Sequence, residues 1–226
     1  MKRVQTAIVV AVMVLSLSRM AVSQTGASSP QNPPSLEDQM LQAVEKGDFA
    51  AVLQLLDKGA HIDAQGKDGV TALIAASAMG KVDIVKQLLA KGASIDLRDN
   101  RGDTALNYAV MVNNIDEVKL LLAKGANVNI QEEGGLTPLM LSVVSGSPDI
   151  VKLLLDKGAN TEARDKNGFT ALMAASGGGL IDIVKLLLDR GANINAKSDD
   201  GTTALKLAIG NSKPDAEKLL RERGAQ

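Results

Sequence analysis

The chain has no cysteine and no tryptophan among its 226 residues, and only one tyrosine, two phenylalanines and one histidine. Without thiols there are no disulfides and no thiolate metal sites, and the redox compartment stays open. With Phe49, Tyr108 and Phe169 as the whole aromatic set, a core has to be built from Leu, Ile, Val, Ala and Met. Such residues suit small helices packed closely. His61 has no second histidine to join it, whereas metal and catalytic sites need several converging groups, so it is read as a surface residue without a role.

Charge of one sign is also lacking: the formal net charge is −1. Lys2 and Arg3 precede an eleven-residue apolar run from Ala7 to Leu17, and Ala21-Val22-Ser23 then places small residues at −3 and −1 of a cleavage point. This is the three-part pattern of a secretory signal peptide spanning residues 1–23. The run falls short of the ~20 residues that cross a bilayer, and Arg19 interrupts any extension. The expectation is therefore export, with no membrane insertion of the mature chain. Cleavage after Ser23 removes three of the 25 basic residues and leaves 22 against 26 acidic ones, a net charge of −4. An acidic surface of that kind is a poor match to a polyphosphate, so no nucleic-acid partner is expected. Residues 24–35, with Pro30, Pro33 and Pro34 among polar neighbours, read as a flexible linker.

What the chain has in abundance is repetition. Lys-Gly-Ala or Arg-Gly-Ala recurs with glycines at Gly59, Gly92, Gly125, Gly158, Gly191 and Gly224, each 33 residues after the last. Thr71, Thr104, Thr137, Thr170 and Thr203 keep the same step, each followed two residues later by leucine. Two markers in phase without an insertion mean an array of one supersecondary unit. Such an array buries a continuous core with no central fold.

Within a unit, Asp68-Gly69, Arg101-Gly102, Gly134-Gly135, Asn167-Gly168 and Asp200-Gly201 signal tight turns. The threonine that follows is placed to cap a short alanine-rich helix, and Pro138 fits a first helical position. That helix ends at Gly80, Gly146 and Gly179, with Asn113 and Ser212 as substitutes; serine adopts the left-handed conformation least readily, so the last unit is expected to deviate there. In the second helix Val85, Leu88 and Leu89 fall at i, i+3, i+4 spacing. Asp83, Asp116, Asp149, Asp182 and Asp215 sit at its start. Lys58, Lys91, Lys124, Lys157, Arg190 and Arg223 sit at its end, so both charges complement the helix dipole.

These residues resemble the ankyrin repeat: Gly-Phe-Thr-Ala-Leu-Met-Ala-Ala from Gly168 to Ala175, then Asp182-Ile183-Val184-Lys185-Leu186-Leu187-Leu188 and Gly191-Ala192-Asn193. The resemblance covers residues 36–226. It implies an all-α repeat solenoid of about six helix-turn-helix units with short β-turn or hairpin fingers. The units run 36–66 (N-terminal cap), 67–99, 100–132, 133–165, 166–198 and 199–226 (C-terminal cap). Two departures from the family pattern stand out. The family's histidine is replaced by Ile74, Asn107, Met140, Met173 and Lys206, and its proline survives only as Pro138. Stability is then expected to rest on aliphatic packing.

No constellation for chemistry stands out. Asp96, Asp99 and Asp103 lack the spacing of a calcium loop, and each falls where the repeat places a turn residue. Gly177-Gly178-Gly179 has no Lys-Ser/Thr after it and reads as a loosened helix end that lets a binding groove adapt. The expectation is a protein that is not an enzyme and has no cofactor or metal.

The resemblance also implies a concave groove lined by turn tips and short helices, where a protein partner docks. By position, Val70, Asp103, Leu136, Phe169 and Thr202 face it at the turns, and Met79, Met111, Val112 and Val144 at the helix ends. Apart from Asp103 and Thr202 these form an apolar stripe, of the kind that marks interaction sites. Met40, Met79, Met111, Met140 and Met173 are expected to be open to oxidants. The reading is an exported, monomeric interaction module, similar to bacterial periplasmic ankyrin proteins. Two alternatives are a protective or immunity protein that blocks an enzyme and a secreted effector acting on host proteins.

Overall fold

A computed structural model describes residues 34–66 and 68–226. The expected signal peptide, and all of the linker before Pro34, lie outside the described residues. Within them the chain forms twelve helices and no strand, arranged as six pairs; in all but the first, a shorter helix precedes a nine-residue one. The pairs are α1 (Leu36–Glu45) with α2 (Phe49–Asp57), α3 (Ala72–Ala78) with α4 (Val82–Ala90), and α5 (Ala105–Met111) with α6 (Ile115–Ala123). They continue as α7 (Pro138–Ser145) with α8 (Pro148–Asp156), α9 (Ala171–Gly178) with α10 (Ile181–Asp189), and α11 (Ala204–Gly210) with α12 (Pro214–Glu222).

Each short helix starts where its threonine does. The hydroxyls of Thr71, Thr104, Thr137, Thr170 and Thr203 accept from the backbone N–H three residues on, at 3.2 to 3.4 Å. The first unit has no such threonine; Ser35 and Asp38 close a reciprocal capping box over α1 instead. Every short helix then ends in a left-handed residue. Asn113 (φ 56°) and Ser212 (φ 53°) hold that conformation just as Gly80 (φ 63°) does, so the last unit does not deviate as expected.

The Gly-Ala pair explains why the long helices stop together. Glycine takes positive φ after the C-cap, and the alanine N–H then reaches back to the helix: Ala93 to the Leu88 carbonyl and Ala126 to the Leu121 carbonyl, both 3.0 Å. This is the Schellman closure. It also turns the alanine inward, where Ala60, Ala93, Ala126, Ala159 and Ala192 are buried. The basic residue before the glycine is the C-cap itself, one place beyond the last helical turn. Lys91, Arg190 and Arg223 use that place to pair with Asp57, Asp156 and Asp189 of the preceding unit, at 2.7, 2.7 and 2.9 Å.

The core runs the length of the stack. Leu88, Leu121, Leu154, Leu187 and Leu220 occupy one position of successive long helices and are fully buried. Short helices pack on short helices (α3 on α5, α5 on α7, α9 on α11) and long on long, so the array is two helix layers deep. The positions that carry histidine in the family pattern are filled by buried Ile74, Asn107, Met140 and Met173. Met40 is buried as well, which corrects the expectation of five oxidant-accessible methionines: only Met79 and Met111 are part-exposed.

Candidate protein-interaction surface

The turns between units are fingers, each closed by a backbone bond from its first residue to the residue before the threonine. Gly66 N–H donates to Val70, Asp99 to Asp103, Glu132 to Leu136, Asp165 to Phe169 and Ser198 to Thr202, at 2.9 to 3.0 Å. Adjacent fingers are stitched by further backbone bonds, such as Asn100 N–H to the Asp68 carbonyl at 2.9 Å and Glu133 N–H to the Arg101 carbonyl at 2.7 Å.

A side-chain ladder reinforces them. Gln65, Arg98, Gln131 and Arg164 stand one repeat apart, and each donates to the backbone carbonyl of the ladder position in the next unit. The donors reach Arg98, Gln131, Arg164 and Lys197 at 3.0, 2.7, 2.9 and 2.8 Å. Gln65, Arg98 and Gln131 also hold the carbonyls of Gly69, Gly102 and Gly135 in their own fingers. This ladder escaped the sequence reading, although the 33-residue step among those positions was its signal.

The nine expected groove residues fall into two rows, not one stripe. Val70, Asp103, Leu136, Phe169 and Thr202 sit at the finger ends, before each N-cap. Met79, Met111, Val112 and Val144 sit at the opposite ends of the short helices. A seven-residue helix separates the rows by about 10 Å. Val70, Met79, Met111, Leu136 and Phe169 are half-buried and pack partly on the core, while Val112 is half-buried without joining it. Val144 is the most open, at 36 % exposure. Met79 and Val112 come together in a shallow depression of about 510 Å³ formed by residues 78–80 and 112–115.

Asp103 does not belong to an open groove; only 5 % of it is exposed. It accepts from Asn107 Nδ2 at 3.1 Å and pairs with Arg101 at 3.2 Å. Arg101 also donates to the Tyr108 hydroxyl at 2.7 Å and lies over its ring, 5.8 Å from the centroid. The Tyr108 hydroxyl donates onward to Asp99 at 2.8 Å. Burial pushes the Asp103 carboxyl up to about 6, against the opposing pull of Asn107 and Arg101. Burial, and then the Asp99 charge, push the Tyr108 phenol far above its ordinary value. A phenol held protonated this way is a poor base, and the cluster's groups satisfy one another. Its effect is to fix the second finger, which Asp99 and Asp103 close.

The other candidates separate. Asp96 accepts from Asn127 N–H at 2.9 Å, away from the Asp99–Asp103 cluster. Exposed His61 offers its backbone N–H to Glu37 at 3.3 Å. Among the described residues no three His, Cys, Asp or Glu side chains converge on a metal position. Nor do the glycines loosen α9: Gly177 and Gly178 are helical, and the Gly177 carbonyl accepts from Asn211 Nδ2 at 3.1 Å.

A search of the curated proteins finds no match to this chain. The family model for ankyrin repeats in three copies matches residues 40–132, 79–165 and 139–226. Those spans take in every finger and all but the first turn of α1, and they bring with them the role of a protein–protein interaction module. Capped short helix, left-handed link, Schellman-closed long helix and stitched finger recur down the whole stack, and the chain belongs to the ankyrin-repeat family.

Proposed function

We propose that the protein is an exported adaptor that captures a protein partner across its short-helix face and takes no part in catalysis. The observation that carries this reading is the pair of apolar rows. Val70, Leu136 and Phe169 lie at the finger ends, and Met79, Met111, Val112 and Val144 at the helix ends, on a surface whose backbone is pinned by the ladder. Apolar side chains on a rigid face can bury area on a partner without first paying to order the backbone. The two part-exposed methionines add adaptable contacts. Export rests on Lys2, Arg3, the Ala7–Leu17 run and the small residues before Gln24. In a bacterium this places the mature protein in the periplasm.

The test is crosslinking of the tagged full-length chain in its native cell, followed by mass spectrometry of the crosslinked proteins by fraction. A dominant protein crosslinked to the wild type, and lost on Val112→Glu with Val144→Glu, supports the reading. An intact partner complex in that double variant removes the helix-end row from the site. Retention of the whole chain in the cytoplasm overturns export.

A further inference from the structure

Long helices of this array place an apolar residue two positions into their sequence: Ile84, Ile150 and Ile183, with Ala216 in the last. The third unit breaks that rule with Glu117. Its side chain is not in solvent; the residue is 0 % exposed at the joint between the second and third units. Only half of the carboxyl is provided for. Oε2 accepts from Asn114 Nδ2 at 3.3 Å, while Oε1 is buried without a hydrogen-bond partner. Across the joint, Ser77 of α3 approaches closely enough to favour the charged form slightly, yet its Oγ is also buried and unpartnered.

Among the described residues no cation pairs with the carboxyl. Lys119 and Asp116 of its own helix are exposed and paired with each other at 3.9 Å. On α4, Asp83 and Lys86 are likewise an exposed pair, and Lys81 before them is exposed. Asp149, Lys152 and Asp156 of α8 are in solvent. Tyr108 of α5 is held by Asp99 and Arg101, and α3 carries no ionisable side chain. A buried carboxylate so placed keeps most of its desolvation cost, set only against the Asn114 bond and the approach of Ser77, whereas the neutral acid has no charge to desolvate.

We infer that Glu117 makes the joint between the second and third units a proton-controlled element: neutral, it lets the units close, and ionised, it loosens that joint alone. Burial raises the carboxyl from 4.5 to about 7, so the closed joint loses its advantage as pH climbs between those two values. Asn114, which holds Oε2, also lines the depression that contains Met79 and Val112, so loosening would reshape that part of the surface. The inference does not depend on what the surface binds.

Amide hydrogen exchange of the full chain at pH 5.5 and pH 8.5 tests it, read as protection factors so that the intrinsic pH effect cancels. In the wild type, protection in α3, α5 and the first turns of α6 should fall about tenfold more than in α9 and α10 as pH rises. Glu117→Gln should abolish that difference. Glu117→Ile, the residue of the neighbouring units, is the second variant should glutamine disturb folding, and it should be the best protected at pH 8.5. Asp103→Asn separates the other titrating group of this unit and should leave the difference in place. Wild-type protection that falls equally in α3 and α9, or a loss that survives both Glu117 variants, overturns the inference.

Discussion

Arg98 Nη2 lies 2.7 Å from the carbonyl oxygen of Gln131, the residue one repeat further along. The same guanidinium holds the Gly102 carbonyl through Nε at 3.1 Å, so a single side chain ties its own finger to the next. Arg98→Ala should lower unfolding stability by about 1–2 kcal/mol, the loss of two backbone hydrogen bonds on an exposed side chain. Arg98→Gln should recover most of it, because Gln65 and Gln131 perform the same task in the flanking units. Urea midpoints of the two variants decide between them. Equal losses would mean that the ladder contributes little.

Gly168 combines two constraints. Its φ is +76°, and an added Cβ would meet the Asp199 backbone nitrogen at 2.8 Å as well as the Arg164 guanidinium. Gly168→Ala should cost about 2 kcal/mol or more, since backbone cannot step aside. Gly201 (φ +77°) has open space around it, so Gly201→Ala should cost less, only the strain of a left-handed alanine. Thermal unfolding of the pair measures the difference.

The turn glycines and capping threonines were legible from sequence because backbone geometry restricts those positions to one or two residue types. The Gly-Ala step fixed the unit, and the unit fixed the helix pairs. Asp103 was misplaced because its neighbours were hidden: an aspartate at a turn tip looks solvated until Tyr108, Arg101 and Asn107 fold over it. Glu117 was not singled out from sequence, though the isoleucines at the same phase marked it as odd. Side-chain pairs one repeat apart need the superhelical stacking itself, which no single unit displays.

Asp103 makes stability depend on acidity in an unusual sense. Its carboxyl rises from 3.8 to about 6 in the folded chain, so the folded state holds a proton that the unfolded state has released. Its contribution is therefore fullest below about pH 4 and declines as pH climbs to about 6. Asp103→Asn should flatten that part of the curve, measured as urea midpoints at pH 4.5 and pH 7. An unchanged slope would show that the Arg101 pair outweighs burial.

Oxidation should divide the methionines by depth. Brief peroxide treatment followed by peptide mass spectrometry should modify Met79 and Met111 first and spare Met40, Met140 and Met173, which are at most 3 % exposed. Modification of all five at one rate would mean that the stack opens freely.

Contact with a partner should distinguish the two rows. Val112→Glu with Val144→Glu changes side chains that stand outside the main core, so capture should weaken while the melting curve is kept. Phe169→Ser with Leu136→Ser touches residues packed on the core and should lower both capture and stability. Capture unaffected by either pair would place the docking surface elsewhere.

The ladder has a direction. Gln65, Arg98, Gln131 and Arg164 all give a proton donor to the unit that follows, and Arg98, Gln131 and Arg164 each receive at their own carbonyl from the unit before. Every rung is thus written wholly within one 33-residue block and its successor. A gene segment copied in tandem would arrive with its donor and acceptor already matched to both flanks. Lengthening such a chain by whole blocks needs no coordinated second change, so reach can evolve separately from the residues that choose a partner.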